Sequence, residues 1–372
     1  MKKLLALSLL LALLLTFNSC SSQEDIKIGF ITTLTGTYSD IGVAGRNAAQ
    51  LKVEKINQTG GINGREVELI IKNDKGKPEN SLVAVQDLAE QGVEIIVGPV
   101  LSNNVLEILD YINQNQILTI GATITSNKLT GLDDYFLRVS QDNAEESILQ
   151  AEFLIEQGQD KVIAVLDTSN QAYTMPWYES FKEEYSNLGG EILATIENRG
   201  FEQMSHNDLA EEIIAKEEAA LVTVASALDT AMLAQQLNRR DHNPFITTSN
   251  WAKTDELMQR GGNAVEGIYT AHIAGEDNLK PRMEEFKAEY QARFGNKPNF
   301  SAYYNYDALN VLTEAMKNLE QINAGAVKDE ILRKKDFRSL YGEISFDQYG
   351  DVTRDYIILK VLDGEFVKAE VK

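Results

Sequence analysis

The segment from Ile26 to Asp74 constrains the fold of this chain more than any other part. Ile26-Lys27-Ile28-Gly29-Phe30-Ile31 is apolar and β-rich, and Leu34-Thr35-Gly36-Thr37-Tyr38 follows it as a glycine turn. From Gly42 to Asn57 the residues Ala44, Ala48, Leu51 and Ile56 recur near helical spacing. Beyond the glycine-rich Gly60-Gly61-Ile62-Asn63-Gly64-Arg65, the run Val67-Glu68-Leu69-Ile70-Ile71 is apolar enough for a buried parallel strand. Strand, loop, helix, turn and strand make one βαβ unit. Its first loop opens at a helix N-terminus, where unpaired backbone N–H groups and the helix dipole favour a carboxylate or phosphate.

The same alternation runs through the rest of the chain. Val93 to Val97, Ile117 to Ile120, Val162 to Leu166, Glu191 to Ile196, Leu221 to Val224, Phe245 to Thr247 and Gly267 to Tyr269 read as strands separated by amphipathic segments. That order predicts the α/β class, with parallel sheets flanked by helices. A chain of 372 residues exceeds what one core usually serves, so two domains are expected. No proline-rich or low-complexity linker separates them, which argues against two independent beads.

Met1-Lys2-Lys3 followed by the apolar run Leu4 to Leu15 is too short for a stable membrane span and sits where a secretory signal belongs. Phe17-Asn18-Ser19-Cys20 places the single cysteine directly after that run, resembling a bacterial lipoprotein cleavage box. Residues 1–19 are thus expected to be removed, with Cys20 carrying the lipid and residues 20–25 forming a short tether. An acylated Cys20 leaves no disulfide to form, so the mature protein relies on its core. Loss of Lys2 and Lys3 changes the formal charge from −21 to −23. Such acidity repels nucleic-acid phosphates and argues against that class of partner.

No catalytic constellation is visible. His206, His242 and His272 are scattered without metal-binding spacing, no G-x-S-x-G or phosphate loop is present, and neither a metal nor a cofactor is expected. The loops after the strands carry binding chemistry instead. Ser102 opens a helix with Val105, Ile108, Leu109 and Ile112 on its apolar side, which places it at or near an N-cap. Asp167 to Tyr173 leaves a strand at its carboxyl end, where open α/β sheets place ligands.

The opening block, Val97-Gly98-Pro99 with Ser102, Gly121 to Thr130, Asp167 to Tyr173, Glu266-Gly267-Ile268-Tyr269, Tyr306-Asp307-Ala308 and Gly342 to Gly350 occur in an order that resembles the leucine/isoleucine/valine-binding family, the type I periplasmic binding proteins of ABC transporters. The resemblance implies two discontinuous, doubly wound parallel-sheet lobes joined by a hinge that the chain crosses three times. The crossings fall near Ser140-Gln141, Ala271-His272 and Glu343-Ile344, giving a first lobe of residues 26–141 and 272–343 and a second of 142–271 and 344–372. Such a hinge closes the lobes on a ligand.

On this resemblance Ser102, the backbone N–H of Thr123 and the hydroxyl of Thr125 donate to a ligand carboxylate, and Tyr173 belongs to the pocket. The position of a family tyrosine is held by Ala227. The residue that would balance a ligand ammonium aligns with Ser249 or Asn250, neither of them acidic. A buried ammonium needs a counter-charge, which makes Asp229 the candidate substitute. If Asp229 points elsewhere, the ligand is a carboxylate or amide without an amine, with Tyr38, Tyr173 and Trp251 stacking on its apolar part. The resemblance implies an extracytoplasmic protein that passes a small carboxylate-bearing solute, foremost a hydrophobic or aromatic amino acid, to an ABC permease; with the lipid expected on Cys20 it is a membrane-anchored monomer. A sensor signalling to a membrane receptor would use the same clamp.

Overall fold

The computed structural model describes residues 24–201, 203–216, 218–275 and 280–370. The signal segment, the cleavage box and Cys20 lie outside these residues. Among the described residues no helix is long and apolar enough to cross a membrane.

The first sheet is all parallel, in the order β2-β1-β3-β4-β5. Its strands are β1 (Ile26–Thr32), β2 (Val67–Asn73), β3 (Ile95–Val97), β4 (Leu118–Gly121) and β5 (Phe136–Arg138). Helix α1 (Ser39–Gln58) covers one face, while α2 (Pro78–Glu90) and α3 (Ser102–Gln114) cover the other. Burial on both sides explains why β1 reads as a continuous apolar run rather than an alternating one. Close approach of α1 to the end of β1 requires Gly42, where a Cβ would lie 1.7 Å from the Thr33 carbonyl oxygen. Asp74, wholly buried, ties the loops after the strands together. It accepts hydrogen bonds from Thr33 Oγ1 (2.7 Å), Ser81 Oγ (3.0 Å) and Asn104 Nδ2 (2.9 Å), so the loop after β1 and the starts of α2 and α3 share one buried anchor.

The chain then builds a second, seven-stranded sheet in the order β14-β13-β10-β9-β8-β6-β7. Strands β6 (Lys161–Asp167), β7 (Glu191–Asn198), β8 (Ala220–Val224), β9 (Ile246–Thr248) and β10 (Tyr269–Ile273) are parallel. They alternate with α4 (Ala144–Glu156), α5 (Gln171–Asn187), α6 (His206–Ile214), α7 (Ala227–Asn238) and α8 (Asp255–Gly261).

After β10 the chain returns to the first lobe as α9 (Lys280–Phe294), α10 (Phe300–Met316), α11 (Ala324–Lys334) and the hairpin of β11 (Asp336–Arg338) and β12 (Glu343–Ser345). Leu309, Val327, Phe337, Ile344, Phe346 and Val352 pack in one core with Ala48 and Leu51 of α1. Residues 344–352 therefore lie with the first lobe, and the chain enters the second sheet only at β13 (Tyr356–Leu362), which pairs antiparallel with β10 and with β14 (Glu365–Lys368). The third crossing is at Arg354 rather than at Glu343-Ile344, because the β11–β12 hairpin needs the first lobe's core to bury Phe337 and Ile344.

The crossings are bonded to one another. The Arg354 backbone N–H donates to Gln141 Oε1, and its guanidinium reaches Ser339 Oγ (3.3 Å) and the Val139 carbonyl (3.4 Å). His272 is neutral, since burial and the nearby Lys253 and Arg354 charges hold its pKa well below the usual imidazole value. Its Nδ1 donates to Asn250 Oδ1 (2.8 Å) and its Nε2 accepts from the Tyr341 hydroxyl (3.3 Å), linking a second-lobe loop to the first lobe.

Candidate functional site

Four loops that leave strand carboxyl ends meet between the sheets and line a narrow, partly open cavity. Val100, Leu101 and Ser102 follow β3, and Thr123 and Thr125 follow β4. From the second lobe Asn170 and Tyr173 follow β6, and Asn250 and Trp251 follow β9. Ile41 of α1 together with Phe300 and Tyr304 of α10 complete an apolar side.

The first lobe presents donors. Leu101, not Ser102, occupies the N-cap of α3. Ser102 is the first helical residue, its hydroxyl makes no capping bond, and it lines the cavity at the positive end of a helix dipole. Anion-binding potential thus sits at α3; α1 contributes only the Ile41 side chain. Thr123 spends its hydroxyl on the Val100 carbonyl (2.9 Å), so its backbone N–H is the group available to a ligand. Thr125 Oγ1 is buried without a hydrogen-bond partner, and Tyr173 lines the cavity from the opposite lobe with the Ser249 side chain and the Trp251 backbone beside its hydroxyl. Burial raises the pKa of Tyr173 well above the usual phenol value, keeping it a neutral hydroxyl. Asn143, just ahead of α4, sets the two in register. Its N–H donates to the Thr125 carbonyl and its Nδ2 to the Tyr173 carbonyl, both at 2.9 Å.

Aromatic rings close the second side. Trp251 lies 5.3 Å from the ring of Tyr38 and 5.4 Å from that of Tyr173. Tyr38 belongs to the rim rather than the cavity wall, reaching across the cleft so that its hydroxyl bonds to Asp167 Oδ2 (3.1 Å) and to Ser169 Oγ. Asn103 forms the main clasp between the lobes. Its backbone N–H donates to Asn170 Oδ1 (3.1 Å), its Nδ2 to the Ser169 carbonyl (2.9 Å), and its Oδ1 accepts from the Ala172 N–H (2.8 Å).

Asp229 does not reach this cavity. It is the third residue of α7, where Ser226 caps the helix by accepting from the Asp229 N–H (3.2 Å) and donating to Asp229 Oδ2 (2.6 Å). His206 Nε2 bonds to its other oxygen at 3.1 Å. The residue that reads as a counter-ion is the partner of a helix-capping serine. The carboxyl group on the cavity wall is Glu146, in the first turn of α4, 1 % exposed. Its Oε1 accepts from the Asn250 N–H (2.6 Å), Trp177 Nε1 (3.0 Å) and Gln150 Nε2 (3.4 Å). Trp177 therefore holds Glu146 in place. Burial drives the pKa of Glu146 up to about 7 against the opposing pull of the Asn250 and Trp177 donors.

Glu146, Asn103, Asn170, Phe300 and Tyr304 escape the reading of the sequence. Glu146 sits beside Glu145 in a first helical turn, where acidic residues are ordinary. Its only mark is the spacing Glu146 and Gln150, which puts two polar side chains one turn apart on the buried face of α4.

The profile of the family described as periplasmic binding protein matches residues 25–365. The Leu/Ile/Val-binding protein BraC3 of Rhizobium johnstonii is 25% identical over 355 residues, covering 94% of this chain and 95% of that protein. Among solved structures, the branched-chain amino acid transporter substrate-binding protein LivJ of Streptococcus pneumoniae, in complex with isoleucine, superposes with a TM-score of 0.85 at 22% identity, over 94% of this chain and 99% of that one. A solute-binding protein of an ABC transporter from Rhodopseudomonas palustris, in complex with 3,4-dihydroxybenzoic acid, gives a TM-score of 0.82 at 24% identity, over 93% and 95%. Two parallel-sheet lobes around a donor-lined cleft and a profile spanning almost the whole described chain lead to one conclusion: the protein belongs to the periplasmic binding protein family, extracytoplasmic proteins that bind solutes and catalyse no reaction.

Proposed function

We propose that this protein captures a small carboxylate-bearing solute with an apolar or aromatic tail, hydrophobic amino acids foremost, and delivers it to an ABC permease. The observation that carries the reading is Thr125 Oγ1, a buried hydroxyl without a partner beside Ser102 and Thr123, with Tyr173 lining the same cavity from the opposite lobe. An unpaired buried hydroxyl is costly, and a ligand carboxylate accepting from Thr125, Ser102 and the Thr123 N–H removes that cost. Ile41, Leu101, Phe300 and Trp251 then surround the tail. The names of the relatives, which bind leucine, isoleucine and valine or hold isoleucine or 3,4-dihydroxybenzoic acid, support the same ligand range.

Hydrogen bonds to a charged group contribute roughly 1.5–3 kcal/mol. Ser102→Ala and Thr125→Val are therefore each expected to weaken binding by about tenfold to a hundredfold in calorimetry, with thermal unfolding little changed. Unaltered affinity in both variants would place the carboxylate elsewhere.

The mature chain is proposed to work as a monomer tethered by lipid on Cys20. Cell fractionation tests the tether: wild type should follow the membranes and Cys20→Ser should not. Membrane association that survives the substitution would remove the lipid from the account.

A further inference from the structure

Glu146 has a property no other polar group on the cavity wall shares. Its Oε1 is saturated by Asn250, Trp177 and Gln150, while its Oε2 takes no hydrogen bond from the described residues, and no cationic side chain pairs with it there. The remaining polar groups that line the cavity can all donate. Ser102, Thr125, Tyr173 and Tyr304 carry hydroxyls, and Asn250 turns its Oδ1 away to His272, leaving its Nδ2 as the free end of the amide. The cavity is thus polarised, with hydroxyl donors from the loops after β3 and β4 and one buried carboxyl oxygen from α4. A carboxylate held by three donors yet lacking a cation is strongly disfavoured inside a protein unless something arrives to balance it.

We propose that Glu146 is the counter-ion of a ligand ammonium, so that the solute is a zwitterionic α-amino acid with an apolar side chain rather than a carboxylic acid without an amine. The inference rests on the solute-clamp reading above and deepens it by naming the ligand's second charge. Asp229, the alternative in the sequence, is occupied by Ser226 and His206. Trp177 and the Asn250 N–H act as positioning groups that hold the Glu146 carboxyl against the cavity.

The test compares L-leucine with 4-methylpentanoic acid, the same skeleton without its amine, in calorimetric titrations of the mature wild-type chain and of Glu146→Gln. Glutamine keeps an oxygen for Trp177 and Asn250, and cooperative thermal unfolding checks that the variant is folded. A second variant, Glu146→Asp, keeps the charge at a shorter reach. Wild type should prefer L-leucine by at least about tenfold. Glu146→Gln should lose about a hundredfold or more for L-leucine, since it strands a buried ammonium, and should bind 4-methylpentanoic acid no worse than wild type. Glu146→Asp should fall between. If Glu146→Gln binds L-leucine within threefold of wild type, or wild type binds the deaminated acid as tightly as the amino acid, the assignment is overturned while the clamp reading stands. If neither L-leucine, L-phenylalanine nor their deaminated acids bind wild type, both readings fall.

Discussion

Between pH 8 and pH 5 the affinity for L-leucine is expected to fall by about a hundredfold. The pKa of Glu146 is raised to about 7 by burial, so the ligand-free site is mostly ionised at pH 8 and almost wholly protonated at pH 5. A ligand ammonium needs the ionised form, and each unit below that pKa costs about tenfold in the ionised fraction. The groups facing Glu146 do not blur this. Tyr173, Tyr304 and Tyr356 are all raised above the usual phenol value by burial and stay neutral throughout the range. Linkage gives the matching sign for stability. A carboxyl whose folded-state pKa is raised stabilises the fold fully below its unfolded value, and that contribution is lost as pH rises through about 7. Asp307 and Asp40, raised by burial to about 7 and about 6, act in the same direction, while buried His272, whose pKa is held well below the usual imidazole value, acts in the opposite one, so Glu146→Gln should make the ligand-free protein's melting temperature fall more, or rise less, than that of wild type between pH 8 and pH 5. Calorimetric titration across the range checks the affinity, and Glu146→Gln should flatten its pH dependence. A wild-type affinity constant from pH 8 to pH 5 would remove the ammonium from Glu146.

Asn103→Ala is expected to weaken ligand binding by about thirtyfold without touching the ligand. Its side chain makes two of the three cross-cleft hydrogen bonds centred on this residue, and the third, from its N–H to Asn170, depends on the same closed geometry. At about 1 kcal/mol for each of the two side-chain hydrogen bonds removed, the closed state loses about 2 kcal/mol relative to the open one. Only the closed state holds a solute from both lobes, so in a clamp that rests open the loss appears directly in Kd. Association should change little and dissociation should accelerate, because the broken contacts form after the solute has entered. Stopped-flow measurements separate the two. An unchanged dissociation rate would mean that these contacts do not govern closure.

Much of the architecture is legible in the residues because buried parallel strands carry their own signature. The runs from Ile26, Val67, Val93, Ile117, Val162 and Phe245 all become strands within a few residues of the expected bounds, and loops that follow them carry Ser102, Thr123, Thr125, Tyr173 and Trp251 to one cavity. What hides is whatever depends on contacts distant in sequence. Asp229 looks free in the sequence, but Ser226 and Asp229 stand three apart at a helix start, the spacing at which such a pair closes on itself. Glu146 looks like a solvated first-turn acid until Trp177 and Asn250 are brought against it from two other segments. The third crossing reads too early because the β11–β12 hairpin has strand character without belonging to either sheet, and only the core formed with α1 and α10 shows which lobe owns it.

The claim that the protein clamps a small apolar carboxylate between its lobes is tested most directly by calorimetric titration of the mature chain with L-leucine, L-phenylalanine and benzoate at several temperatures. The account predicts saturable binding of one molecule per chain for at least one amino acid, with a negative heat-capacity change from burying the solute's apolar part and the cleft around it. No saturable heat from any of them, or binding with a heat-capacity change near zero, would contradict it.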